Sequence, residues 1–108
     1  MNPLNARCTA DAPALDQNTL DHWLPQLPGW SHESGGLHAR FEFDNFYQVM
    51  AFVNAVAELA HGHDHHPEMA LSFCLVTLRW STHSAGGKVS LNDVICAAQV
   101  SALPEAHP

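Results

Sequence analysis

Residues 37–60 read LHARFEFDNFYQVMAFVNAVAELA and join a strand pattern directly to a helix pattern. In the first seven of these residues apolar and polar side chains alternate, which predicts a strand with one buried face. Asn45 then provides an N-cap, and Gln48 follows three residues later as in a capping box. Over residues 46–60 apolar side chains recur at spacings of three and four, which predicts an amphipathic helix that ends near residue 60.

Upstream of this unit the chain predicts a short helix and a first strand. Residues 19–27 carry apolar side chains at helical spacing, and either Asn18 or Thr19 is a suitable cap. A short extended run over residues 30–34 follows, and Gly35–Gly36 separates it from the alternating strand. A glycine pair between two extended runs is typical of a β-hairpin.

Downstream, residues 69–82 are rich in apolar and β-branched side chains and suit two strands or one long bent strand. Ser90 and Asp93 form a capping box for a last helix that runs to about residue 103. The element order is therefore α-β-β-α-β-β-α, which favours an α+β domain of two layers, an antiparallel sheet with helices on one face. Residues 15–104 form this single domain, and residues 1–14 are predicted to be a flexible lead-in.

Composition excludes several classes of function. The chain of 108 residues has four Lys and Arg and a formal net charge of −7. Such a surface suits neither nucleic acid nor an anionic membrane, since both are bound by clustered basic residues. No apolar run approaches the roughly 20 residues of a membrane span, and no leader is evident, so we expect a cytoplasmic protein. The three cysteines, Cys8, Cys74 and Cys96, are expected to be reduced thiols.

Histidine is unusually abundant, with nine in the chain. Five of them lie within 23 positions: His61, His63, His65, His66 and His83. Because the imidazole pKa lies near neutrality, such a cluster indicates proton transfer or metal binding. Pro67 keeps His66 out of helical geometry, so the rings of two adjacent histidines point in different directions and can flank a ligand. His83 joins them if the intervening strand returns antiparallel, and Asp64 or Asp93 can fix an imidazole tautomer.

Other interpretations of these residues remain open at this point. Surface histidines in a polar loop are common and need have no function. The tract from His61 to His66 also suits zinc or nickel, although it contains no HExxH pattern and no readable tetrahedral ligand set. Phe73 and Trp80 are either core residues or contacts of a bound molecule.

At these positions the sequence resembles the pterin-4a-carbinolamine dehydratase family. The family signature has an acidic residue, His-His-Pro, an aromatic residue, a second histidine and a later aspartate at long fixed spacings. His65–Pro67, Phe73, His83 and Asp93 occupy these positions, and the likeness extends over roughly residues 19–103. The leading acidic position is His61 here, which implies that the role of that acid is unfilled or passes to Asp64 or Glu58.

The resemblance implies a four-stranded antiparallel sheet with three helices, and a homodimer or homotetramer. It implies dehydration of 4a-hydroxytetrahydrobiopterin to quinonoid dihydrobiopterin, which recycles the pterin for aromatic amino-acid hydroxylases, without a metal or an organic cofactor. The implied site residues are His65, His66 and His83 as catalytic groups, Asp64, Ser81, Thr82 and Ser84 as substrate ligands, and Asp93, Phe73 and Pro67 as supporting residues. We expect Asp93 mainly to cap the last helix. Some dehydratase-like proteins act instead as a dimerisation partner of a transcription factor or as a Rubisco assembly chaperone, which is the alternative function.

Overall fold

The computed structural model describes all 108 residues and confirms the predicted order of elements. The helices and strands are α1 (Gln17–Trp23), β1 (Ser31–Glu33), β2 (Gly36–Glu42), α2 (Phe46–His63), β3 (Glu68–Leu71), β4 (Leu75–Trp80) and α3 (Leu91–Ser101). The four strands form one antiparallel sheet in the order β1-β2-β4-β3, which confirms the α+β fold. The region predicted as two strands or one bent strand is two strands. None of the helices combines the length and apolar character of a membrane span.

The core lies between one face of the sheet and the helices α2 and α3. Alternate residues of the two central strands point into it, as the period of two predicts: Leu37 and Ala39 of β2, and Val76, Leu78 and Trp80 of β4. Phe52 of α2 is fully buried, and its ring lies 4.6 Å from that of Phe41 and 5.2 Å from that of Phe43. The helix α2 therefore packs against β2, the strand that directly precedes it in the sequence.

The first hairpin turns one residue earlier than predicted. Its two-residue loop is Ser34–Gly35, and both residues have positive φ, 49° and 83°. Two positive φ values are what the tight turn of a right-twisted hairpin requires. Gly36, predicted to be in the turn, begins β2 instead, and a Cβ there would lie 2.9 Å from Nε of Arg79. The second glycine is thus used for close packing rather than for the turn.

The second helix is one turn longer than predicted. Asn45 caps its start through the amide of Gln48, as expected, but the helix continues past residue 60 to His63. Gly62 costs little so close to a helix end. Asp64 takes the left-handed conformation, at φ 50°, and ends the helix, with its amide directed to the carbonyls of Ala60 and His61. The predicted end was wrong because a non-glycine residue provides the left-handed cap.

The other helix ends differ from the prediction in smaller ways. Asp16 caps α1, where Asn18 or Thr19 was expected, because its carboxylate accepts from the amide of Thr19 at 2.8 Å. The predicted capping box of Ser90 and Asp93 at the start of α3 is confirmed. That helix ends at Ser101, two residues earlier than expected.

The N-terminal segment, residues 1–14, makes specific contacts with the domain. Gln99 of α3 donates to the carbonyls of Pro3 and Ala6 at 3.0 and 2.8 Å. Asn92 exchanges two hydrogen bonds with the backbone of Thr9. Flexibility of this segment stays a prediction about its motion, but its place in the structure is against α3.

The packing of Phe52 generates the first prediction. Phe52→Ala removes a fully buried ring from the contact between α2 and β2, and we expect a loss of about 3–5 kcal/mol in the free energy of unfolding. Urea denaturation monitored by circular dichroism measures this loss. Tyr47→Ala is the control, since Tyr47 on the same helix is 88% exposed and its removal should change stability by no more than about 0.5 kcal/mol. Equal losses in the two variants would contradict the described core.

Candidate active site

A hollow of about 420 Å³ lies where the end of β4, the loop after α2 and the start of α3 meet. The loop after α2 contributes Asp64, His65 and His66, the segment after β4 contributes Ser81, Thr82, His83 and Ser84, and Thr9, Ala10, Asp11 and Asn92 complete the lining. The three histidines singled out in the sequence therefore line one cavity, although they come from two distant segments. Its size is within the range of small-molecule sites.

His65 is held by a buried carboxylate. Its Nε2 lies 2.6 Å from Oδ1 of Asp93, whose side chain is fully buried. The imidazole ring stacks on the indole of Trp80, with centroids 5.4 Å apart and an interplanar angle of 18°. Trp80 is itself fully buried and so belongs to the core, which settles the choice left open for this residue. Two contacts thus fix the orientation of the His65 ring, the stacking on Trp80 and the hydrogen bond from Nε2 to Asp93.

Asp93 accepts hydrogen bonds from three directions. Besides His65, the hydroxyl of Thr82 donates to Oδ2 at 2.7 Å and the amide of Ser90 donates to the same oxygen at 2.8 Å. The hydroxyl of Ser90 lies 2.6 Å from that of Thr82 and accepts from the amide of Asn92. Because Thr82 gives its only proton to Asp93, the proton between the two hydroxyls belongs to Ser90. The Ser90 hydroxyl therefore donates to Thr82, and the Thr82 hydroxyl donates to Asp93, so the carboxylate accepts at the end of this chain of hydrogen bonds.

This environment raises the pKa of His65 above its ordinary value. Burial is the largest single influence and by itself lowers the pKa of His65, because it disfavours the charged ring. The hydrogen bond to Asp93 and the negative charge of Asp93 act in the opposite direction and together outweigh burial. With Nε2 bonded to Asp93, the remaining nitrogen Nδ1 has no partner in the protein and is not fully buried. His65 can therefore donate or accept a proton at Nδ1.

Local structure explains why His65 and His66 are placed as they are. The left-handed Asp64 ends α2, and the amide of His65 still bonds to the carbonyl of Ala60 at 3.2 Å, so His65 sits directly under the helix end. Pro67 then pushes His66 into extended geometry ahead of β3. Consecutive side chains consequently diverge, and His65 is half-buried while His66 is exposed.

The other predicted site residues divide into three groups. His66, His83, Asp64 and Ser84 are exposed in the hollow. Ser81 and Thr82 also line it, but Ser81 accepts from Arg79 at 3.0 Å and the Thr82 hydroxyl is committed to the Asp93 network. Phe73 and Pro67 lie outside the lining, and Phe73 is 72% exposed in the turn between β3 and β4. The fold therefore makes Thr82 a support of Asp93 and keeps Phe73 away from the cavity.

Neither of the carboxylates considered as substitutes at the His61 position forms a hydrogen bond with the His65 ring. Asp64 is exposed at the helix end, and Glu58 faces a different hollow beside Arg7. Asp93, the other carboxylate considered as an imidazole partner, makes that contact. It does so in addition to its expected capping role, because one oxygen faces the helix backbone and the other faces the histidine.

One wall of the hollow was not predicted. Thr9, Ala10 and Asp11 belong to the segment expected to be a lead-in, and they reach the cavity because Asn92 holds Thr9. The local sequence of this segment shows no period, so only the long-range contact with α3 reveals its position.

A second hollow, of about 470 Å³, lacks comparable chemistry. Its one histidine, His63, accepts from the amide of Cys8 through Nδ1 and pairs with Gln99 through Nε2. Both ring nitrogens are occupied, so neither is available for proton transfer.

The fold and the histidine-lined hollow together define a small α+β protein suited to acid–base chemistry on a small molecule. Residues 13–103 match the family model described as pterin 4 alpha carbinolamine dehydratase. The chain belongs to this family.

Individual relatives agree with this assignment. A protein of Stenotrophomonas maltophilia is 48% identical over 96 residues, which cover 87% of this chain and 82% of the relative. A protein of Xylella fastidiosa is 48% identical over 93 residues, covering 84% and 79%. Both carry names that assign them provisionally as pterin-4-alpha-carbinolamine dehydratases.

Two solved structures share the fold. The crystal structure of a transcriptional coactivator/pterin dehydratase from Brucella melitensis superposes with a TM-score of 0.78 at 26% identity, covering 82% of this chain and 96% of that one. A pterin dehydratase-like protein identified as a RuBisCO assembly factor in the alpha-carboxysome gives a TM-score of 0.58 at 23% identity, covering 72% and 87%. The second likeness concerns the fold alone.

The network around Asp93 generates a prediction about titration. Asp93→Asn removes the negative charge beside His65, so the pKa of His65 should fall below its wild-type value, as measured by NMR titration of the imidazole protons. The variant should also lose about 1–3 kcal/mol in the free energy of unfolding. The NH₂ group of the new asparagine replaces a carboxylate oxygen that accepts from buried donors. Asp64→Asn is the matched control, since Asp64 lines the same hollow without bonding to His65. An unchanged His65 titration in the Asp93 variant would refute the described contact.

The raised pKa of His65 also predicts how stability depends on pH. A folded-state pKa above the unfolded value stabilises the protein below the unfolded pKa, and this contribution disappears as pH rises through the folded pKa. The stability lost in His65→Gln should therefore be larger at pH 5.5 than at pH 8.5, as measured by urea unfolding. In His61→Gln, which changes an exposed histidine of α2, the loss should be small at both pH values. A loss that grows with pH in His65→Gln would contradict the sign of the shift.

Proposed function

We propose that this protein is a 4a-hydroxytetrahydropterin dehydratase that works by histidine acid–base catalysis. The observation that supports it most is that His65, His66 and His83 line one hollow, in which a buried carboxylate orients His65. Membership of the family supports the substrate class, a reduced pterin that carries a hydroxyl at C4a.

The proposed reaction has two proton movements. The bond from C4a to the hydroxyl oxygen breaks, and that oxygen takes a proton and leaves as water. The proton on N5 departs, and its electron pair forms the N5=C4a double bond of the quinonoid product. In our proposal His65 and His83 act as acids toward the hydroxyl, so that one of them gives the single proton and the other contacts the leaving oxygen, while His66 contacts the ring and accepts the N5 proton. Positioned acid–base catalysis of this kind contributes roughly 10²- to 10⁴-fold.

The three histidines are suited to different parts of this reaction. The raised pKa of His65 increases its protonated fraction near neutral pH, which suits an acid. His83 and His66 are exposed on the same hollow, and their side chains form no hydrogen bonds within the protein. Both rings are therefore free to meet a ligand. Proton return to His65 passes through Nδ1, since Nε2 faces Asp93.

The remaining site residues take supporting roles in the proposal. Asp64, Ser81 and Ser84 offer polar atoms to the ring or its side chain. Thr82 and Asp93 position His65 rather than contact the substrate, because the Thr82 hydroxyl is bonded to Oδ2 of Asp93 and Oδ1 of Asp93 is bonded to His65. Pro67 acts by directing His66, and Phe73 has no contact role here because it lies outside the hollow.

The wider assignment follows the same proposal. The reaction recycles a pterin for aromatic amino-acid hydroxylation, needs no metal or organic cofactor, and takes place in the cytoplasm in a homodimer or homotetramer. A binding role remains the alternative, and the exposed side chains of Met69 and Leu71 on the edge strand β3 favour some protein contact. Such a contact is compatible with catalysis, since β3 contributes nothing to the lining of the hollow.

The decisive measurement is the rate of carbinolamine dehydration, followed by the absorbance of the quinonoid product. We expect His65→Ala and His83→Ala each to reduce kcat/KM by about 10²-fold or more. His61→Ala serves as the control, because His61 is an exposed histidine of α2 outside the hollow, and it should retain the wild-type rate.

Two results would contradict the proposal. Wild-type rates in both site variants would remove the catalytic role of these histidines. An inactive wild-type protein that captures a specific protein partner through β3 would favour the binding role.

A further inference from the structure

Two cysteines outside the proposed chemistry lie against each other. Sγ of Cys8, in the N-terminal segment, is 3.5 Å from Sγ of Cys96 on α3. A disulfide bond measures about 2.05 Å, so the sulfurs need to approach by only about 1.5 Å. Cys8 lies before the region that matches the family model, and neither thiol lines the hollow.

Independent contacts hold the two thiols in this position. On one side of Cys8, the carbonyl of Ala6 accepts from Gln99 of α3 at 2.8 Å. On the other side, Thr9 exchanges hydrogen bonds of 3.0 and 2.8 Å with Asn92 of the same helix. Cys96 lies between Gln99 and Asn92 along α3. The backbone around Cys8 is therefore fastened both before and after the point where its side chain meets Cys96.

The two thiols differ in reactivity. Cys8 is partly exposed, and its hydrogen bond with Cys96 lowers its pKa despite the opposing effect of burial. Cys96 is buried, and the hydrogen bond with Cys8 together with burial raises its pKa. Since the thiolate is the nucleophilic form, we expect Cys8 to react with an oxidant first and Cys96 to react afterwards with the oxidised Cys8.

We propose that Cys8 and Cys96 form a reversible intramolecular disulfide that fastens the N-terminal segment to α3 and fixes one wall of the hollow. With hydrogen peroxide as oxidant, the Cys8 thiolate attacks the O–O bond and becomes a sulfenic acid, and the released hydroxide takes a proton to leave as water. The thiol of Cys96 then attacks the sulfenic sulfur. The S–S bond forms, the S–O bond breaks, and a second water leaves. A thiol reductant reverses the link.

A thiophilic metal is the competing occupant of this place. Cys8, Cys96 and His63 offer ligand atoms within 4.8 Å of one another. However, His63 uses Nδ1 for the amide of Cys8 and Nε2 for Gln99, so a metal would have to displace one of these bonds. The two sulfurs, in contrast, already face each other, which favours the disulfide.

The link has a structural consequence at the hollow. Thr9, Ala10 and Asp11 follow Cys8 directly and line the cavity. In the reduced protein this wall is held by hydrogen bonds, and in the oxidised protein a covalent bond anchors it one residue away. This inference concerns only the thiols and the segment, and it does not depend on the proposed reaction.

The sequence makes the test direct. Trypsin cleaves after Arg7, Arg40, Arg79 and Lys88, so Cys8, Cys74 and Cys96 fall in three separate peptides, residues 8–40, 41–79 and 89–108. The full-length protein is treated with a chelator, oxidised with hydrogen peroxide, alkylated and digested without reductant. We expect peptides 8–40 and 89–108 to be joined, with the mass of two hydrogen atoms lost, and to separate after reduction.

Matched variants and a second measurement complete the experiment. Cys74→Ser should form the same link and Cys8→Ser should not, so Cys74→Ser controls for removal of a thiol. Oxidation should also raise the midpoint of thermal unfolding by about 5 °C or more in the wild type and Cys74→Ser, and not in Cys8→Ser.

Three results would overturn the inference. The first is that Cys8 ends as a sulfinic acid or a mixed disulfide while Cys96 stays reduced. The second is a link that involves Cys74 or joins two chains. The third is stoichiometric zinc that is lost in Cys8→Ser and that, when present, protects both thiols from oxidation, which would identify a metal site instead.

Discussion

The arrangement of the site depends on one buried carboxylate. Asp93 lies at the start of α3 and is completely enclosed, yet each of its oxygens is paired with protein donors. An unpaired charge in this place would be costly. The end of β4, the start of α3 and the loop after α2 must therefore keep the positions that let them pair with it. Thr82, Ser90 and His65 are the points at which these three segments meet it. The same residue therefore caps a helix, joins three elements and orients an imidazole.

This constraint creates an asymmetry among the histidines of the hollow. His65 is fixed by Asp93 on one nitrogen and by Trp80 on its face, whereas His66 and His83 are exposed. A fixed ring loses little entropy when it meets a ligand and keeps a defined tautomer. Exposed rings can adjust to the shape of what enters. In the proposed reaction the fixed ring of His65 suits a proton donor at a set position, and the exposed rings of His66 and His83 suit groups that contact the substrate.

The parts of the fold that sequence predicts are those decided by local patterns. The alternation over residues 37–43, the cap at Asn45 and the capping box of Ser90 and Asp93 each specify backbone geometry within a few residues, and all three predictions are confirmed. Two predicted boundaries were wrong, the end of α2 and the turn of the first hairpin. Each depends on which of several neighbouring residues adopts the left-handed conformation. Asp64 adopted the left-handed cap, and Gly36 was needed for packing against Arg79.

The parts of the site that sequence does not predict are those built by contacts between distant residues. The spacing of histidines indicated a shared cavity. No local pattern predicts that the Thr82 hydroxyl donates to Asp93, or that the Thr9 amide donates to Asn92, 83 positions away. The match to the family model begins at residue 13, so it includes the walls made by the loop after α2, the segment after β4 and the start of α3, and not the wall made by residues 9–11. Asn92, which holds this last wall, is the residue directly before Asp93, so the N-terminal segment is bonded to the same turn of α3 that carries the buried carboxylate.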